Sequence, residues 1–584
     1  MKKKDILVLF KTHLDIGFTD FSKNIIDKYL YKSIPQAIEV GYELKGTDTE
    51  FVWTLGAWMV NEALKHDETG IVDKAIRDGI IAWHALPFTT HTELMSPKLF
   101  EETLKISQKL DGKYNKKTTA SKMTDVPGHT MGMIPIMNKY GIKFMHIGVN
   151  PATPIPDVPN IFRWKCGESS VVVMYQLDYG VKEEFDDFII YFAHTGDNCG
   201  PQSSQQVIDI YSSLREEYPE SRIMAATLED VAERVLKMEN IPVLEKEIGD
   251  SWIHGAGTDP LKMSRYRNVL RQMENMDLDK TDLTDSLMLV AEHTWGKDIK
   301  CYFDNKTDFT YQEMEKLKDT DSYKDVVASW DEQREYVFAA ERKLGITDVP
   351  LVEYPDLTGA EKCESFIEIP IEISWQLFDN SDYLRYKETY MRSTPGWAIW
   401  DFTKVGLPDY EGGIYVPQMV NQYRKEDILI SEYRFTAEIE KEYGLPYFMV
   451  EYSGGYVNVK WFNKKGSRLP QAFWLKFKGC TEDWEISKMN KWIKPSDILD
   501  SKLIVATDKG VKNSEIIIQP LDSCLVAPYG RNLLKYNLKD IKQDMYFNLY
   551  NNIWNTNFPM WYSDDAMFRF DICPVSDNDS AKND

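Results

Sequence analysis

Seven short apolar runs recur through the first part of the chain, and helix-like segments separate them. The runs lack polar and apolar alternation, which is typical of strands buried on both faces of a parallel sheet. They span residues 6–10, 51–54, 80–86, 119–124, 143–149, 171–177 and 222–227. Strand and helix in alternation predict an α/β domain, and seven units predict a seven-stranded (β/α) barrel over residues 1–260.

The hydrophobic period then changes twice. Residues 261–360 carry apolar positions three and four apart with no strand pattern between them, which predicts a helical bundle. From residue 361 the period becomes two, and many short alternating runs with turns between them predict a β-sandwich over residues 361–575. The polar tail, residues 576–584, is predicted to be disordered. The predicted fold class is therefore a multidomain chain with α/β, all-α and all-β parts.

Composition narrows the range of partners. The 584 residues are 43% hydrophobic and 28% charged, as in an ordinary soluble protein, and the net charge of -23 opposes binding to nucleic acid or to an anionic membrane. We expect no membrane span and no secretory leader, because no apolar stretch is long enough. The seven cysteines are scattered without a C-x-x-C spacing, which favours a cytoplasmic protein with reduced thiols. A homo-oligomer is compatible with this composition but is not predicted by it.

Candidate chemistry begins where the first apolar run ends. His13 and Asp15 follow that run, and functional side chains of parallel α/β folds lie at the carboxyl ends of strands. Imidazole and carboxylate together suit a zinc-like ion, although a hydrogen-bonded loop pair is the alternative. All nine histidines lie at or before His293, so any imidazole chemistry is confined to the first part of the chain.

Three further positions have the same character. Asp125 closes the fourth apolar run before a Pro-Gly turn, where it is either an exposed carboxylate or a turn residue. Asp197 lies between glycines in a polar loop, where it is either a free carboxylate or part of a simple turn. His293 ends an apolar helical stretch, where it is either a ligand or a packed core residue.

These motifs, and the order in which they occur along the chain, resemble those of the family 38 glycoside hydrolases, the zinc-dependent α-mannosidases. The resemblance covers His-x-Asp after the first strand, Asp-x-x-Gly-His-Thr from Asp125, Gly-Asp-x-x-Gly-Pro around Asp197 and a histidine in the helical region, and it extends over about residues 5–300. It implies a seven-stranded barrel, a helical bundle and β-sandwich domains. It also implies one Zn²⁺ per chain, held by His13, Asp15, Asp125 and His293, with Asp125 as nucleophile and Asp197 as general acid/base.

This sequence departs from the family pattern at several places. Phe18 stands where the family usually has tryptophan, Pro127 replaces an aromatic residue, and Cys199 lies in a loop that is normally richer in glycine. His254 is an alternative to His293 as the fourth metal ligand.

A second group of residues is predicted to contact the sugar. Aromatic and polar side chains suit stacking on a sugar ring and hydrogen bonding to its hydroxyls, although the tryptophans equally suit the barrel core. The predicted substrate contacts are Trp83, His91, Glu93, His129 and His254.

The resulting hypothesis is a metal-dependent retaining glycoside hydrolase that acts on α-mannosides or a related sugar. One alternative is a metal-dependent polysaccharide deacetylase, which uses a metal-bound water as nucleophile. The other is a sugar-binding protein that has kept the metal and lost catalysis. The expected partner is a carbohydrate in all three cases.

Overall fold

The computed structural model of the chain describes residues 3–276, 284–479, 483–499, 504–534 and 544–575. It divides into two compact units. The first unit comprises Met1–Thr92, Pro97–Lys246 and Glu292–Thr294, and the second comprises Glu93–Ser96, Glu247–Ala291 and Trp295–Asp584. The tail predicted to be disordered, residues 576–584, lies outside the described residues.

The first unit alternates strands with helices. Its strands are β1 (Asp5–His13), β2 (Trp53–Gly56), β3 (Ile81–His84), β4 (Ala120–Asp125), β5 (Phe144–Val149), β6 (Ile161–Cys166), β7 (Ser169–Gln176), β8 (Glu183–Glu184), β9 (Phe188–Asp197), β10 (Arg222–Ala225) and β11 (Val243–Leu244). Its helices are α1 (Ser22–Lys28), α2 (Ile34–Leu44), α3 (Ala57–Lys65), α4 (Ile71–Arg77), α5 (Pro97–Tyr114), α6 (Met133–Lys139), α7 (Ser204–Glu217) and α8 (Leu228–Val235).

These strands form two mostly parallel sheets around one core. Within the described residues, the first sheet runs β3-β2-β1-β9-β8 with β10 also beside β1, and the second runs β11-β6-β7-β5-β4. One buried cluster combines Leu7 and Leu9 of β1 with Phe144 of β5 and Val172 of β7, so both sheets contribute to the same apolar core. In parallel α/β folds, functional side chains lie at the carboxyl ends of the strands. The carboxyl ends of β1, β4 and β9 are therefore candidate positions for functional residues.

Each of the seven apolar runs overlaps a strand of the structure, but β6 and the longer β9 were not predicted. β9 pairs with β1 over the whole length of β1, from Asp5 opposite Phe188 to His13 opposite Asp197. The sequence analysis placed Asp197 in a loop, whereas the structure makes it the last residue of β9. The apolar run from Phe188 to Ala193 is the signal that would have revealed this strand.

The second unit combines helices with long antiparallel sheets. Its helices are α9 (Pro260–Met273), α10 (Thr284–Met288), α11 (Ile299–Tyr302), α12 (Tyr311–Leu317), α13 (Asp321–Leu344), α14 (Asn380–Tyr390), α15 (Gly396–Phe402) and α16 (Ala437–Tyr443). Its strands are β12 (Glu361–Lys362), β13 (Ile371–Leu377), β14 (Gly413–Tyr415), β15 (Gln418–Lys425), β16 (Ile428–Arg434), β17 (Tyr447–Ser453), β18 (Tyr456–Phe462), β19 (Gln471–Phe477), β20 (Glu485–Lys488), β21 (Lys491–Ile493), β22 (Val505–Ala506), β23 (Val511–Lys512), β24 (Ile516–Pro520), β25 (Leu525–Ala527), β26 (Tyr546–Asn551) and β27 (Ala566–Pro574).

Within the described part of the second unit, ten strands form one sheet, β12-β15-β16-β17-β18-β27-β24-β23-β20-β21, and six form another, β14-β13-β19-β26-β25-β22. The helices α11 to α13 have their own apolar cluster, which includes Phe303, Trp330 and Trp561. The fold class is thus a mixed α/β chain with several sheets and helices. The domain boundaries predicted near residues 260 and 360 stay predictions. Among the described residues, no helix combines the length and apolar character needed to cross a bilayer.

Candidate metal centre and active site

Three predicted site residues end three strands of the first unit. His13 is the last residue of β1, Asp125 of β4 and Asp197 of β9. His13 and Asp125 are buried, with 1% and 8% of their surfaces exposed. The polar residues that follow the apolar runs therefore lie at strand ends, where backbone pairing holds them in place.

A bulge in β9 aligns Asp197 with His13. Thr12 pairs with Thr195, but the next residue, His13, pairs with Asp197, so Gly196 is an extra residue in β9. A bulge of this kind re-aims the side chains that follow it, because side-chain direction alternates along a strand. The Asp197 carboxyl is thereby brought within 4.8 Å of donor atoms of His13 and Asp15.

Asp125 has an unusual backbone conformation. Its φ of 80° lies in the region that residues with a Cβ rarely adopt. The Asn150 side chain donates from Nδ2 to Asp125 Oδ1 at 2.9 Å, and the Asn150 backbone N–H donates to the Asp125 carbonyl at 3.1 Å. Strained residues persist where their surroundings hold them, and they concentrate at functional sites.

His293 reaches the site from a distant part of the chain. The sequence predicted an apolar helical stretch up to His293, but α10 ends at Met288, and a short 3₁₀ turn ends at Ala291. Glu292 instead forms a backbone bridge with Thr90, and Glu292 and His293 belong to the first unit. The Glu292 carboxylate accepts from His293 Nδ1 at 2.7 Å, which leaves His293 Nε2 available as a donor to a metal.

Four side chains direct donor atoms toward one point. His13 Nε2 lies 3.1 Å from His293 Nε2, 2.9 Å from Asp15 Oδ1 and 3.8 Å from Asp125 Oδ2. His293 Nε2 lies 3.0 Å from Asp15 Oδ1 and 3.5 Å from Asp125 Oδ2. For a tetrahedral zinc site with ligands at about 2.0–2.2 Å, neighbouring donors are about 3.3 Å apart. The spacing suits a divalent ion: His13, Asp125 and His293 form one group of possible metal donors, and Asp15 and Asp197 form a second group with His13.

Other contacts support this fit. Asp15 Oδ2 is buried and has no hydrogen-bond partner among the described residues. Two imidazole Nε2 atoms at 3.1 Å share at most one hydrogen between them, so their approach is favourable mainly when a proton or a cation lies between the four donors. Two imidazoles and two carboxylates are a donor set that suits zinc.

The charges within this group are strongly coupled. Burial acts to lower the pKa of His13, but the neighbouring carboxylates, first Asp15, raise it above its usual value. Burial likewise opposes a raised pKa at His293, and Glu292, Asp125 and Asp15 overcome it. Burial would raise the pKa of Asp15, yet the two imidazoles lower it. The carboxylates thus create a strong preference for positive charge at their centre.

Asp197 has the opposite character. Burial, followed by the charge of Asp15, raises its pKa to about 7. A carboxyl group that stays protonated near neutral pH can donate a proton, so Asp197 is suited to general acid chemistry.

Tyr179 is a further member of this group. Its ring stacks on the His13 ring at a centroid distance of 5.4 Å. Asp178, Tyr179 and Gly180 all have positive φ. Burial, and then the charge of Asp125, raises the pKa of Tyr179, so the phenol stays protonated and able to donate.

Basic side chains occupy neighbouring positions on the same strands. Lys11 pairs with His194 across β1 and β9, and Lys122 pairs with His146 across β4 and β5. Lys122 Nζ donates to Thr124 Oγ1 at 2.6 Å, and burial lowers the Lys122 pKa to about 8. Burial and the charge of Lys11 lower the pKa of His194 to about 2, so this imidazole is neutral.

The other residues predicted to contact substrate in the first unit lie in different surroundings. His129 is fully buried, and its Nδ1 lies 3.3 Å from Thr92 Oγ1. His91 is also buried. Trp83 packs against Tyr114, and the ammonium of Lys116 lies over its ring. Substrate contact by these residues stays a prediction.

Glu93 and His254 belong to the second unit. Glu93 Oε1 lies 2.7 Å from the buried Lys488 Nζ, which also lies 2.8 Å from Glu247 Oε1. His254 lies in the 3₁₀ turn Ile253–Thr258 and packs edge-on against Trp554 at 4.2 Å. Of the two alternatives for the fourth ligand, His293 is therefore the one that the structure places with His13, Asp15 and Asp125.

Several supporting residues were not identified from sequence. Asn150 and Tyr179 follow β5 and β7 in the same way that Asp15 follows β1, so the strand-end rule would have found them. Glu292 directly precedes His293, but its role depends on a turn that no local pattern reveals.

Comparisons with known proteins give the fold a context. Residues 256–347 match a family model described as a domain of unknown function (DUF5054). No curated protein sequence matches the chain. An alpha-mannosidase from Enterococcus faecalis V583 is similar in structure, with a TM-score of 0.59 and 9% identity over 98% of this chain and 87% of that chain. A protein in the glycosyl hydrolase family 38 from Enterococcus faecalis gives a TM-score of 0.56 with 8% identity over 98% and 86% of the chains. The chain therefore has a fold like that of the family 38 glycoside hydrolases.

Proposed function

We propose that this protein is a metal-dependent retaining glycoside hydrolase that acts on α-mannosides or a related sugar. The observation that carries the proposal is the convergence of His13, Asp15, Asp125 and His293 at donor distances that suit one ion. Asp197, a carboxyl group with a raised pKa, lies beside this group. The shared fold with an alpha-mannosidase supports the choice of sugar.

We propose zinc as the resident ion, one per chain, held by the same four side chains. When bound, zinc would supply positive charge that binds sugar hydroxyls and stabilises the oxocarbenium-like transition state. Asp125 would supply the carboxylate that acts as nucleophile.

In the first half of the reaction, Asp125 attacks the anomeric carbon while Asp197 donates its proton to the leaving oxygen. The glycosidic C–O bond breaks, and an ester forms between the sugar and Asp125. Asn150 orients the carboxylate through its hydrogen bond to Asp125.

In the second half, Asp197 is a carboxylate and takes a proton from water. The water oxygen attacks the anomeric carbon, the ester bond breaks, and Asp125 returns to its ionised form. The sugar leaves with its original anomeric configuration, because the anomeric carbon has been inverted twice.

The proposal includes a seven-stranded (β/α) barrel in the first unit. In its support, parallel pairings join β3, β2, β1 and β9 in one sheet and β4, β5 and β7 in the other, and the Ala85 N–H after β3 donates to the Ala120 carbonyl of β4 at 2.9 Å. It also includes a β-sandwich in the second unit, because Trp461 of one sheet packs against Phe473 of the other at a ring distance of 5.1 Å. A cytoplasmic location remains part of the proposal.

The test is a panel of nitrophenyl glycosides that includes the α-mannoside, assayed before and after metal removal by a chelator and again after zinc is restored. We expect cleavage that the chelator abolishes and zinc restores. Trapping with a 2-deoxy-2-fluoro glycosyl fluoride of the cleaved sugar should label Asp125. Zinc binding at one equivalent without turnover of any glycoside would refute the hydrolase and leave the sugar-binding alternative.

A second candidate is a metal-dependent polysaccharide deacetylase. It is favoured by the observation that Asp197 forms a donor group with His13 and Asp15, which makes Asp197 a candidate ligand instead of an acid. In that case an acetylated oligosaccharide would release acetate, and Asp197→Asn would lower the metal content. A glycosidase predicts full metal content in Asp197→Asn.

A further inference from the structure

We propose that Asn198 is a positioning residue. It links the end of β9, which carries Asp197, to His13 at the end of β1 and to Asp15 in the turn that follows. The inference rests on the proposed function and names a role in that same site. Asn198 follows Asp197 directly, and its contacts reach the loop that carries His13 and Asp15. Asn198 thus links the proposed general acid/base, Asp197, to two of the proposed metal ligands, His13 and Asp15. The proposed reaction needs a fixed distance between them.

The contacts involve both ends of the Asn198 amide. Its Oδ1 accepts from the backbone N–H of Asp15 at 3.1 Å. Its Nδ2 donates to Thr19 Oγ1 at 2.9 Å and approaches the Gly17 carbonyl at 3.4 Å. The side chain therefore spans the turn after β1 on both sides of Ile16.

The Asn198 backbone adds two more links. Its N–H donates to the His13 carbonyl at 3.0 Å, and its carbonyl accepts from Lys28 Nζ at 2.7 Å. The first bond continues the pairing of β9 with β1 beyond the bulge at Gly196. The carbonyl bond fixes the peptide that leaves the strand.

The conformation of Asn198 explains the choice of residue. Its φ is 53°, in the left-handed region that glycine adopts most easily and asparagine tolerates better than most other residues. Only 1% of its surface is exposed. Asparagine thus combines the turn that glycine would give with three side-chain contacts that glycine lacks.

The consequence for the site concerns the metal ligands. Asp15 is held by its N–H, and His13 by its carbonyl, so both ligands depend on Asn198 for their backbone placement. Partners that orient metal ligands typically change affinity by about 10–100-fold when they are removed. We expect the Asn198 side chain to act on zinc affinity in this range.

The test compares Asn198→Gly with the matched control Asn115→Gly in the full chain. Asn115 also has positive φ, 51°, but is exposed and ends no site strand, so both variants exchange asparagine for glycine in the same conformation. Zinc affinity is measured by competition with a chromophoric chelator. We expect the zinc dissociation constant to rise by about 10–100-fold in Asn198→Gly and to stay within about twofold in Asn115→Gly.

Two additional measurements separate positioning from a general loss of structure. The visible absorption of the cobalt-substituted protein should change in Asn198→Gly, while the melting temperature of the metal-free protein stays near that of the control. Thr19→Val removes one acceptor of the Asn198 amide and should raise the zinc dissociation constant by a smaller factor. This second variant keeps the inference testable if Asn198→Gly does not fold.

The outcomes are distinguishable. Equal zinc affinity and an unchanged cobalt spectrum in Asn198→Gly would overturn the positioning role and leave the proposed function standing. Failure of the unmodified protein to bind zinc or cobalt would overturn the proposed function, and this inference with it.

Discussion

The donors around His13 in the first unit and the ions around Lys488 in the second are both buried, yet their charges are balanced in different ways. Lys488 Nζ lies between Glu93 Oε1 at 2.7 Å and Glu247 Oε1 at 2.8 Å, and all three side chains are inaccessible. Glu93 also accepts from the backbone N–H groups of Asp250 and Ala506. This ion triad thus holds a lysine cation between its two carboxylates.

The donor group in the first unit has two imidazoles where the triad has a lysine. Its two imidazoles face each other at 3.1 Å among carboxylates, and Asp15 Oδ2 has no partner in the described part of the chain. A buried charge is costly unless it is paired, so these carboxylates need a positive partner from protons or from a metal. Carboxylates that surround a buried lysine indicate a structural role, whereas carboxylates that converge with imidazoles, which take up either a proton or a metal ion, indicate a binding site.

The largest expected effect is a loss of hydrolytic activity when the donor group around His13 is changed. Asp125→Asn removes the proposed nucleophile, and we expect the rate of glycoside hydrolysis to fall by about 10⁴-fold or more, because the covalent route is lost. Turnover of the cleaved nitrophenyl glycoside measures it, with far-ultraviolet circular dichroism as the check on folding. The exposed variant Asp209→Asn makes the same change of charge and should keep full activity; a similar loss in both would contradict the assignment.

A change in the Lys488 triad should lower the free energy of unfolding without affecting zinc binding by the donor group around His13. Lys488→Met leaves Glu93 and Glu247 buried together, and removing one partner of a buried ion pair typically costs about 3–5 kcal/mol. Chemical denaturation of the full chain should show the loss, while zinc affinity of the folded protein stays unchanged.

The exposed Lys494→Met is the control for the triad variant, with an expected change below about 0.5 kcal/mol. Adding Glu93→Gln and Glu247→Gln to Lys488→Met should recover part of the stability, because the uncompensated charges are gone. If no stability is recovered, the loss of stability in Lys488→Met arises from lost packing and not from uncompensated charge.

A smaller effect is expected from Glu292→Gln. The carboxylate accepts from His293 Nδ1 at 2.7 Å and so fixes the tautomer that presents Nε2. Glutamine keeps an acceptor but loses the charge, and zinc affinity should fall by about 10–100-fold, as read by chelator competition. Glu233→Gln, at the surface, is the matched control, and an equal effect there would remove the special role of Glu292.

The smallest effect concerns pH. Burial raises the pKa of Asp197 to about 7, above the usual range of a carboxyl group, so the proton that the first step needs is lost as pH rises through that value. We expect kcat/KM to decline by about tenfold per pH unit above pH 7. A pH series on the nitrophenyl glycoside measures this decline, and Asp197→Asn should abolish it together with most of the activity. A flat profile up to pH 9 in the unmodified protein would contradict acid catalysis by Asp197.

Most strands of the first unit could be predicted from the sequence, because short apolar runs are typical of buried parallel strands. The same pattern was present from Phe188 to Ala193, but only the polar Gly-rich loop around Asp197 was predicted there, and β9 was missed. His293 shows the limit more clearly. Helical spacing extended up to His293, yet the backbone bridge between Glu292 and Thr90 ended the regular structure and brought His293 into the first unit.

The sequence alone determined the chemical types available at the ends of β1 and β4, because polar residues that directly follow buried runs have few other places to lie. It also determined that imidazole chemistry must occur in the part of the chain up to His293. Only the tertiary structure decided that His293 completes the donor group, that Asp197 ends a strand through a bulge at Gly196, and that Glu93 belongs to an ion triad. The physical reason is that these roles depend on distances between residues far apart in the chain, and such distances are set by pairing and burial, which no local spacing encodes.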